Sequence, residues 1–265
     1  MRPEGDEVVI EKDGEVFTSG IIEPVGAHCP HQAYITVSER CIFHCAFCPV
    51  HTLNGPVKNT AEVISLIDPV YQSGDLHAIS LTGGIEESPE KELIRMEGLV
   101  KELLSHYDVP IGVSVYPTKD SSDVLHAAGA VEVKYNVETI DREIFRKVCP
   151  EQDLDDIIKA LEHAVSLFGR DHVTSNIIIG LGESDETVIS GVEDLASRGV
   201  IPILRPVVVH KDAPIPGARR PSPERLLSLG RRAKSILSRY GLSPLNAQTM
   251  CLPCTGCDII PFKDL

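Results

Sequence analysis

The sequence predicts an α/β protein: a partial (β/α)6 barrel with an N-terminal extension and a C-terminal cysteine-rich tail. Six short runs rich in β-branched and aliphatic residues alternate with longer amphipathic runs. This alternation is typical of parallel strands joined by right-handed helical crossovers. The 265 residues accommodate six such units better than the eight of a complete barrel.

The elements follow in order along the chain. The predicted strands cover 33–37, 78–81, 111–115, 131–135, 173–179 and 203–209. The predicted helices lie near 60–72, 89–106, 120–128, 153–168 and 184–198, followed by a basic helix at about 223–240. Helical spacing of apolar residues is clearest in 153–168, where Asp153 is the predicted N-cap.

The order of the predicted elements divides the chain into three parts. We expect the extension to span 1–32, the barrel 33–210 and the tail 211–265. Two β-rich runs in the extension are separated by the turn-forming pair Asp13-Gly14, which predicts a hairpin.

Composition excludes some classes of function. The formal charge of −14 disfavours broad binding to nucleic acid phosphates. No apolar run approaches the ~20 residues that span a bilayer, and the polar start of the chain lacks the apolar segment of a signal peptide. We therefore expect a cytoplasmic protein without a nucleic acid or membrane partner. In that compartment, eight cysteines favour metal binding over disulfides.

A cysteine triplet directly follows the first predicted strand. Cys41, Cys45 and Cys48 have the spacing Cys-x3-Cys-x2-Cys. Three thiolates on a short loop can ligate three corners of a [4Fe–4S] cluster, which leaves the fourth iron open for a substrate or cofactor. The alternatives are unrelated thiols or a structural zinc site completed by His44. Structural zinc normally takes four ligands at other spacings, and His44 is expected to point away from the thiols.

This motif, its position after the first strand, and the aromatic Phe47 before the last cysteine resemble the radical S-adenosylmethionine (radical SAM) superfamily. The resemblance continues in order over about 33–209 and implies contacts with the cofactor on successive strands. The implied cofactor-contacting residues are Phe47, Thr82, Gly83, Gly84, Ser114, Asn136, Glu138, Ile178 and Arg205. This sequence departs from the family pattern at one position. The family usually has an acidic residue directly after the glycine pair, whereas here Ile85 occupies that position and Glu86 and Glu87 follow it.

The resemblance also implies a mechanism and a partner. A [4Fe–4S] cluster at Cys41, Cys45 and Cys48 would cleave S-adenosylmethionine to a 5′-deoxyadenosyl radical, which abstracts hydrogen from an unactivated carbon. The electron for this step would come from a reductant such as ferredoxin or flavodoxin.

A second triplet lies near the end of the chain. Cys251, Cys254 and Cys257 have the spacing Cys-x2-Cys-x2-Cys. We interpret them as ligands of an auxiliary [4Fe–4S] cluster, with Cys29 as a candidate fourth ligand; the alternative is a zinc knuckle completed by a distant residue. Cys149 is expected to be a packing residue. An auxiliary cluster can relay electrons, hold a substrate or donate sulfur, and the cysteines alone do not decide among these uses.

Two segments resemble one branch of this superfamily in particular. Residues 135–139 and 179–188 resemble lipoyl synthase, and the C-terminal position of the second triplet resembles the split, two-protein lipoyl synthases often labelled biotin synthase-like. This implies sulfur insertion into a carrier-bound octanoyl chain, with a lipoyl-carrier protein and a second radical SAM subunit as partners.

Other interpretations of the same residues stay open. One is a biotin synthase-like enzyme of cofactor biosynthesis that forms carbon–carbon bonds or methylates, with an electron-relaying auxiliary cluster. Another is a non-catalytic iron–sulfur or zinc scaffold that senses redox state. The basic residues around Arg231 and Arg232 form either a docking surface for an acidic carrier or an ordinary solvated helix face.

Overall fold

An antiparallel sheet forms the N-terminal extension. The computed structural model describes residues 2–4, 7–20, 31–209, 215–254 and 257–265. Strands β2 (Glu7–Lys12) and β3 (Glu15–Gly20) form the predicted hairpin, and an unpredicted strand β1 (Arg2–Glu4) pairs with β2. The turn residues Asp13 and Gly14 both have positive φ, 56° and 86°, as a two-residue hairpin turn requires.

A six-stranded parallel sheet forms the body of the protein and confirms the predicted fold class. Its strands are β4 (Gln32–Thr36), β5 (Ala78–Thr82), β6 (Ile111–Ser114), β7 (Glu132–Lys134), β8 (Val173–Ile179) and β9 (Ile201–Pro206). They lie side by side in chain order, with β4 and β9 at the two edges. All six predicted strands are present, with shifts of a few residues at their ends.

Eight α-helices accompany the strands within the described ranges. They are α1 (Val50–Leu53), α2 (Thr60–Gln72), α3 (Pro89–His106), α4 (Ser121–Ala128), α5 (Arg142–Val148), α6 (Leu154–Phe168), α7 (Asp185–Ser197) and α8 (Pro223–Tyr240). The Asp153 side chain caps α6 by accepting hydrogen bonds from the backbone N–H groups of Asp155 and Asp156, as predicted. The short helices α1 and α5 were not predicted. None of the helices described is long and apolar enough to cross a lipid bilayer.

Strand register sorts part of the sheet into two layers of side chains. Tyr34, Ser80, Gly112 and Glu132 pair across neighbouring strands in a lower layer, and Thr36, Thr82, Ser114 and Lys134 pair in an upper layer two residues further along. Two residues along a strand correspond to about 7 Å. The upper layer therefore lies closer to the C-terminal ends of the strands, where chemistry is expected in this architecture.

The C-terminal tail packs against the lower layer. The backbone N–H of Met250 donates to Ser80 Oγ at 2.8 Å, and that of Thr249 donates to Glu132 Oε2 at 2.9 Å. Further along, Ile259 forms an antiparallel bridge with Leu204 of β9. The tail thus forms a floor under the sheet's polar face and brings Cys251 next to the sheet, whereas Cys257 is exposed.

Candidate functional site

The first cysteine triplet lies where β4 gives way to a loop. Cys41, Cys45 and Cys48 line one cavity of about 290 Å³, together with Thr82 and Ser114 of the upper layer. Two backbone hydrogen bonds hold the loop in place, from Ile42 N–H to the Ile85 carbonyl at 2.7 Å and from Ala46 N–H to the Val148 carbonyl at 2.8 Å. The loop therefore presents its thiols to a common space at the C-terminal ends of the strands.

The donor set of this cavity fits an iron–sulfur cluster. Burial raises the pKa of the Cys48 thiol, and the proximity of Cys45 and Cys41 raises it further, so metal binding would have to displace these protons. Two donors point at the sulfurs, Ile85 N–H to Cys41 Sγ at 3.4 Å and Gln152 Nε2–H to Cys45 Sγ at 3.2 Å. Hydrogen bonds to sulfur help to set cluster reduction potentials.

Binding of a single metal ion would require several side chains that meet at one point, which a cluster does not. In the described ranges, no three Cys, His, Asp or Glu side chains are arranged to hold one ion. In a cubane cluster each thiolate binds a different iron, so the thiols surround a volume instead of meeting at a point. The exposed His44 points outward and pairs with Glu151 at 2.9 Å, which argues against the zinc site considered above.

The glycine loop after β5 forms another wall of this cavity. Thr82, Gly83 and Gly84 all line it. Gly84 N–H donates to the Ser38 carbonyl at 2.8 Å, and an added Cβ at Gly84 would lie 2.2 Å from the Arg40 carbonyl oxygen. The displaced acidic residue Glu86 pairs with Arg40 and Arg95. The glycine is needed because the two loops touch through their backbones.

A buried carboxylate lies behind the glycine loop. Glu92 on α3 is 2% exposed and pairs with Arg95 at 2.9 Å, whereas its Oε1 has no hydrogen-bond partner. Burial raises the pKa of Glu92 from its ordinary value near 4.5 to about 7. The folded protein therefore binds this proton more tightly than the unfolded chain does.

Glu92→Gln is expected to remove a pH dependence of folding stability. Because the folded-state pKa is raised, the free energy of unfolding of the parent should fall as pH rises through the interval from 4.5 to about 7. The upper limit of this loss is about 3–4 kcal/mol, at about 1.4 kcal/mol per pKa unit over the interval from 4.5 to about 7. Denaturant unfolding at about pH 5 and about pH 8 measures it.

The matched control for this prediction is Glu97→Gln. Glu97 lies on the same helix and pairs at the surface with Lys101. The control should keep the pH slope of the parent. Parallel pH profiles of the parent and Glu92→Gln would contradict the prediction.

Glu138 joins the first cavity to a second one. Its carboxylate lines both and accepts a hydrogen bond from the Asn136 side chain. Burial raises the pKa of Glu138 to about 7, against the opposing effects of Lys134, Arg205 and the Asn136 hydrogen bond. The backbone φ of 57° is unusual for a residue other than glycine and is held by hydrogen bonds to β8 on both sides. Such strain is concentrated at functional sites.

The second cavity, of about 420 Å³, opens beside β8 and β9. Its polar lining comes from Glu138, Asn176 and Arg205, and Asn176 Oδ1 is buried without a hydrogen-bond partner. The rest of the lining is largely apolar: Phe47, Cys48, Pro49, Ile178, Pro206, Val207 and Val208. All nine residues implied as cofactor contacts therefore line one of the two cavities.

The second triplet lies on the floor below these cavities. Cys251 Sγ lies 3.4 Å from Nζ of Lys134, and that ammonium group also donates to the Tyr34 hydroxyl at 3.4 Å. Burial disfavours the charge of Lys134, but Tyr34, Cys251 and Asp258 outweigh burial and hold its pKa above the ordinary value. Lys134 of the upper layer thus lies beside the tail thiol of Cys251.

Several further residues belong to the site but were not predicted. They are Gln152, Tyr34, Lys134 and Asp258. Cys149 is fully buried, as expected of a packing residue, and its thiol also hydrogen-bonds with Cys45. Cys29, the candidate fourth ligand of the auxiliary cluster, lies outside the described residues.

Acidic partners neutralise part of the basic helix α8. Arg225 pairs with Glu183 at 3.0 Å and with Asp185 at 2.6 Å, and Arg239 pairs with Glu193. These contacts fasten α8 to α7 and to the segment after β8. The exposed side chains of Arg231 and Arg232 remain the candidates for a docking surface, and Arg232 also lies 4.0 Å from Glu186.

Comparison with known proteins identifies similar chains. A probable GTP 3′,8-cyclase of Sulfolobus acidocaldarius is 28% identical over 131 residues, which cover 49% of this chain and 41% of the relative. A lipoyl synthase of Leptospira biflexa is 25% identical over 181 residues, which cover 65% of this chain and 58% of the relative. The chain spans about half the length of the curated relatives it matches.

A solved structure and a family model cover more of the chain. The crystal structure of methylornithine synthase (PylB) has a similar fold, with a TM-score of 0.63, 18% identity, and coverage of 81% of this chain and 70% of that one. Residues 35–195, more than half of the sequence, match the model of the Radical SAM superfamily. This match shows that the chain belongs to the radical SAM superfamily, whose enzymes use a [4Fe–4S] cluster and S-adenosylmethionine.

Proposed function

We propose that this radical SAM enzyme inserts sulfur into a carrier-bound octanoyl chain, as a component of a lipoyl synthase. The observation that carries the proposal is the position of the second triplet. Cys251 lies against Lys134, and Lys134 belongs to the same layer as Thr82 and Ser114, which line the first cavity. The candidate sources of radical and sulfur therefore share one interior.

The chain of contacts between the two sites is short. Lys134 lies close enough to Glu138 to oppose the rise of its pKa, its Nζ lies 3.4 Å from Cys251 Sγ, and Glu138 lines both cavities. A substrate carbon held near Glu138 would thus lie close to Cys48, which lines both cavities, and Lys134 would link it to Cys251. Radical sulfur insertion needs this proximity because a carbon radical must meet its sulfur source before it reacts elsewhere.

The second cavity suits an aliphatic chain. Ile178, Val207 and Val208 offer apolar contacts, and Arg205 adds a positive charge to the same lining. Burial of such a chain contributes roughly 0.8 kcal/mol per methylene, which favours a medium-length acyl group over a small polar substrate. The similarity to lipoyl synthases over 65% of this chain supports the same substrate class.

The cofactors supply the chemistry when they are bound. A cluster held by Cys41, Cys45 and Cys48, together with S-adenosylmethionine, would supply a radical able to take one hydrogen atom from the chain. A cluster held by Cys251, Cys254 and Cys257 would supply the sulfur for the resulting carbon and an acceptor for the electron released. The protein's own residues would orient the reactants: Asn176 and Arg205 offer polar contacts for the cofactor in the second cavity.

The partners of this activity are part of the proposal. The electron would come from a ferredoxin or flavodoxin, the substrate from a lipoyl-carrier protein, and a second radical SAM subunit would complete the reaction. The exposed cations Arg231 and Arg232 are the candidate contacts for an acidic carrier.

The test uses a sulfur isotope. The protein is reconstituted with sulfur-34 sulfide and incubated with reductant, S-adenosylmethionine and an octanoyl-lysine peptide. We expect 5′-deoxyadenosine and a thiolated peptide that carries sulfur-34. The variant Cys251→Ala/Cys254→Ala/Cys257→Ala should form 5′-deoxyadenosine without thiolated peptide, because it retains only the radical-generating site. Mass spectrometry measures both products.

Two outcomes would contradict the proposal. A thiolated peptide whose sulfur has natural isotopic composition, without enrichment in sulfur-34, would mean that the auxiliary cluster is not the donor. Formation of 5′-deoxyadenosine with no thiolated peptide, also in the presence of the second subunit and the carrier, would favour the alternative in which the tail cluster only relays electrons.

A further inference from the structure

We propose that Asp258 is the fourth protein ligand of the auxiliary cluster, so that its ligand set is Cys251, Cys254, Cys257 and Asp258. The inference rests on the auxiliary cluster of the proposed function and names a ligand that the cysteine spacing does not reveal. The structural observation is a buried carboxylate oxygen without a hydrogen-bond partner, placed among the tail thiols.

The backbone fixes the position of Asp258. Ile259 N–H donates to the Leu204 carbonyl at 3.0 Å, and the two residues form an antiparallel bridge. This bridge places Asp258 beside Arg205, with Nε and Oδ1 3.6 Å apart. The carboxylate is therefore fixed to β9 and does not lie on a free loop.

The side chain is buried but only partly satisfied. It is 3% exposed, and Oδ1 lacks a hydrogen-bond partner because Arg205 lies beyond hydrogen-bond distance. The Cys251 thiol donates a hydrogen bond to the same carboxylate. Buried polar groups are nearly always paired, so an orphaned carboxylate oxygen next to a thiol indicates a missing partner. Iron is a partner that would bind both the thiolate and the oxygen.

Other groups around Cys251 fit the ligand role less well. Lys134 is charged and has no lone pair to donate to a metal. The Tyr34 hydroxyl accepts a hydrogen bond from Lys134. Lys134 lies beside the Cys251 thiol and Arg205 lies beside Asp258, so two positive charges adjoin the site. Those charges would offset the negative charge of three thiolates and a carboxylate.

The test isolates the tail site. The background variant is Cys41→Ala/Cys45→Ala/Cys48→Ala, so that all cluster iron is bound at the tail. After reconstitution with iron-57, iron content, Mössbauer and EPR spectra are compared with and without changes at Asp258. We expect about four irons per chain in the background variant, one with the higher isomer shift of an oxygen-ligated site.

Two substitutions report on the ligand directly. Adding Asp258→Ala should remove one iron in four and give the EPR signal of an oxidised three-iron cluster. Adding Asp258→Cys should retain all the iron and remove the distinct Mössbauer site. The matched control is Asp264→Asn, which changes a tail carboxylate that accepts a hydrogen bond from Ile260 N–H; its spectra should match those of the background.

The experiment distinguishes a wrong ligand assignment from a wrong proposal of an auxiliary cluster. Full iron content and unchanged spectra in both Asp258 variants would overturn the ligand assignment and leave the auxiliary cluster intact. A background variant that binds no iron would overturn the auxiliary cluster, and with it both this inference and the proposed source of sulfur. Circular dichroism of the apo proteins identifies any loss caused by misfolding, in which case the Asp258→Cys spectrum decides.

Discussion

Replacing Gly84 by alanine should abolish binding of the radical-generating cluster while the sheet stays folded. The added Cβ would lie 2.2 Å from the Arg40 carbonyl oxygen and 2.9 Å from Cys41 Cβ, both of which belong to the cysteine loop. Neither group is the far end of a flexible side chain, so the loop itself must move. Reconstituted iron should fall from about eight to about four per chain, on the basis of about four irons in each cluster.

Gly98→Ala is the control for this prediction. Gly98 lies in α3, where an added Cβ meets nothing within 4 Å, and alanine is the better helix former. This variant should retain its iron, whereas Gly84→Ala should also lose 5′-deoxyadenosine formation. Full iron content in Gly84→Ala would show that the loop can yield and would refute the argument.

The sequence was sufficient to predict the sheet because each strand carries its own local signal. The run 173–179 has a β-branched residue at five of its seven positions, and it forms β8 (Val173–Ile179) without a shift at either end. The short helix α5 (Arg142–Val148), which the Asp141 side chain caps, was missed because seven residues give too little helical periodicity. Elements are predictable where the signal lies within one window of sequence.

The cavity around the first triplet was predictable for a related reason. Cysteine spacing after a strand and a glycine pair after the next strand are both local patterns, and parallel strands bring them to one edge. The floor of the site was not predictable, because it depends on the pairing of Met250 with Ser80, 170 positions apart in the chain. No pattern within the tail specifies that contact.

One sequence signal could have indicated the floor. Glu132, Lys134, Asn136 and Glu138 alternate with aliphatic and aromatic residues, so a polar face with a period of two runs along β7 and beyond it. Three of these are charged residues that the structure buries, and two of them, Glu132 at 2% and Lys134 at 3% exposed, contact the tail. Buried charges need partners, and here the tail supplies them.

The second large effect is expected at Gly112, where the lower layer of the sheet packs against the tail. An added Cβ would lie 2.0 Å from Thr249 Oγ1 and 2.8 Å from Thr249 Cβ. Gly112→Ala is therefore expected to expel the tail from the lower layer, with an overpacking penalty of about 1–3 kcal/mol. The Thr249 hydroxyl and backbone N–H would lose their hydrogen bonds to Glu132, which would leave a buried carboxylate underpaired.

The consequence should be selective. Gly112→Ala should lose the iron at Cys251, Cys254 and Cys257 and become sensitive to proteolysis in the tail, but it should retain the radical-generating cluster and form 5′-deoxyadenosine. Adding Thr249→Gly removes both clashing atoms and should restore part of the tail iron. Intact tail iron in Gly112→Ala, or equal loss of both clusters, would contradict this. Either result would mean that the tail's position does not depend on the close packing at Gly112, and the shared interior on which the sulfur-insertion proposal rests would lose its structural basis.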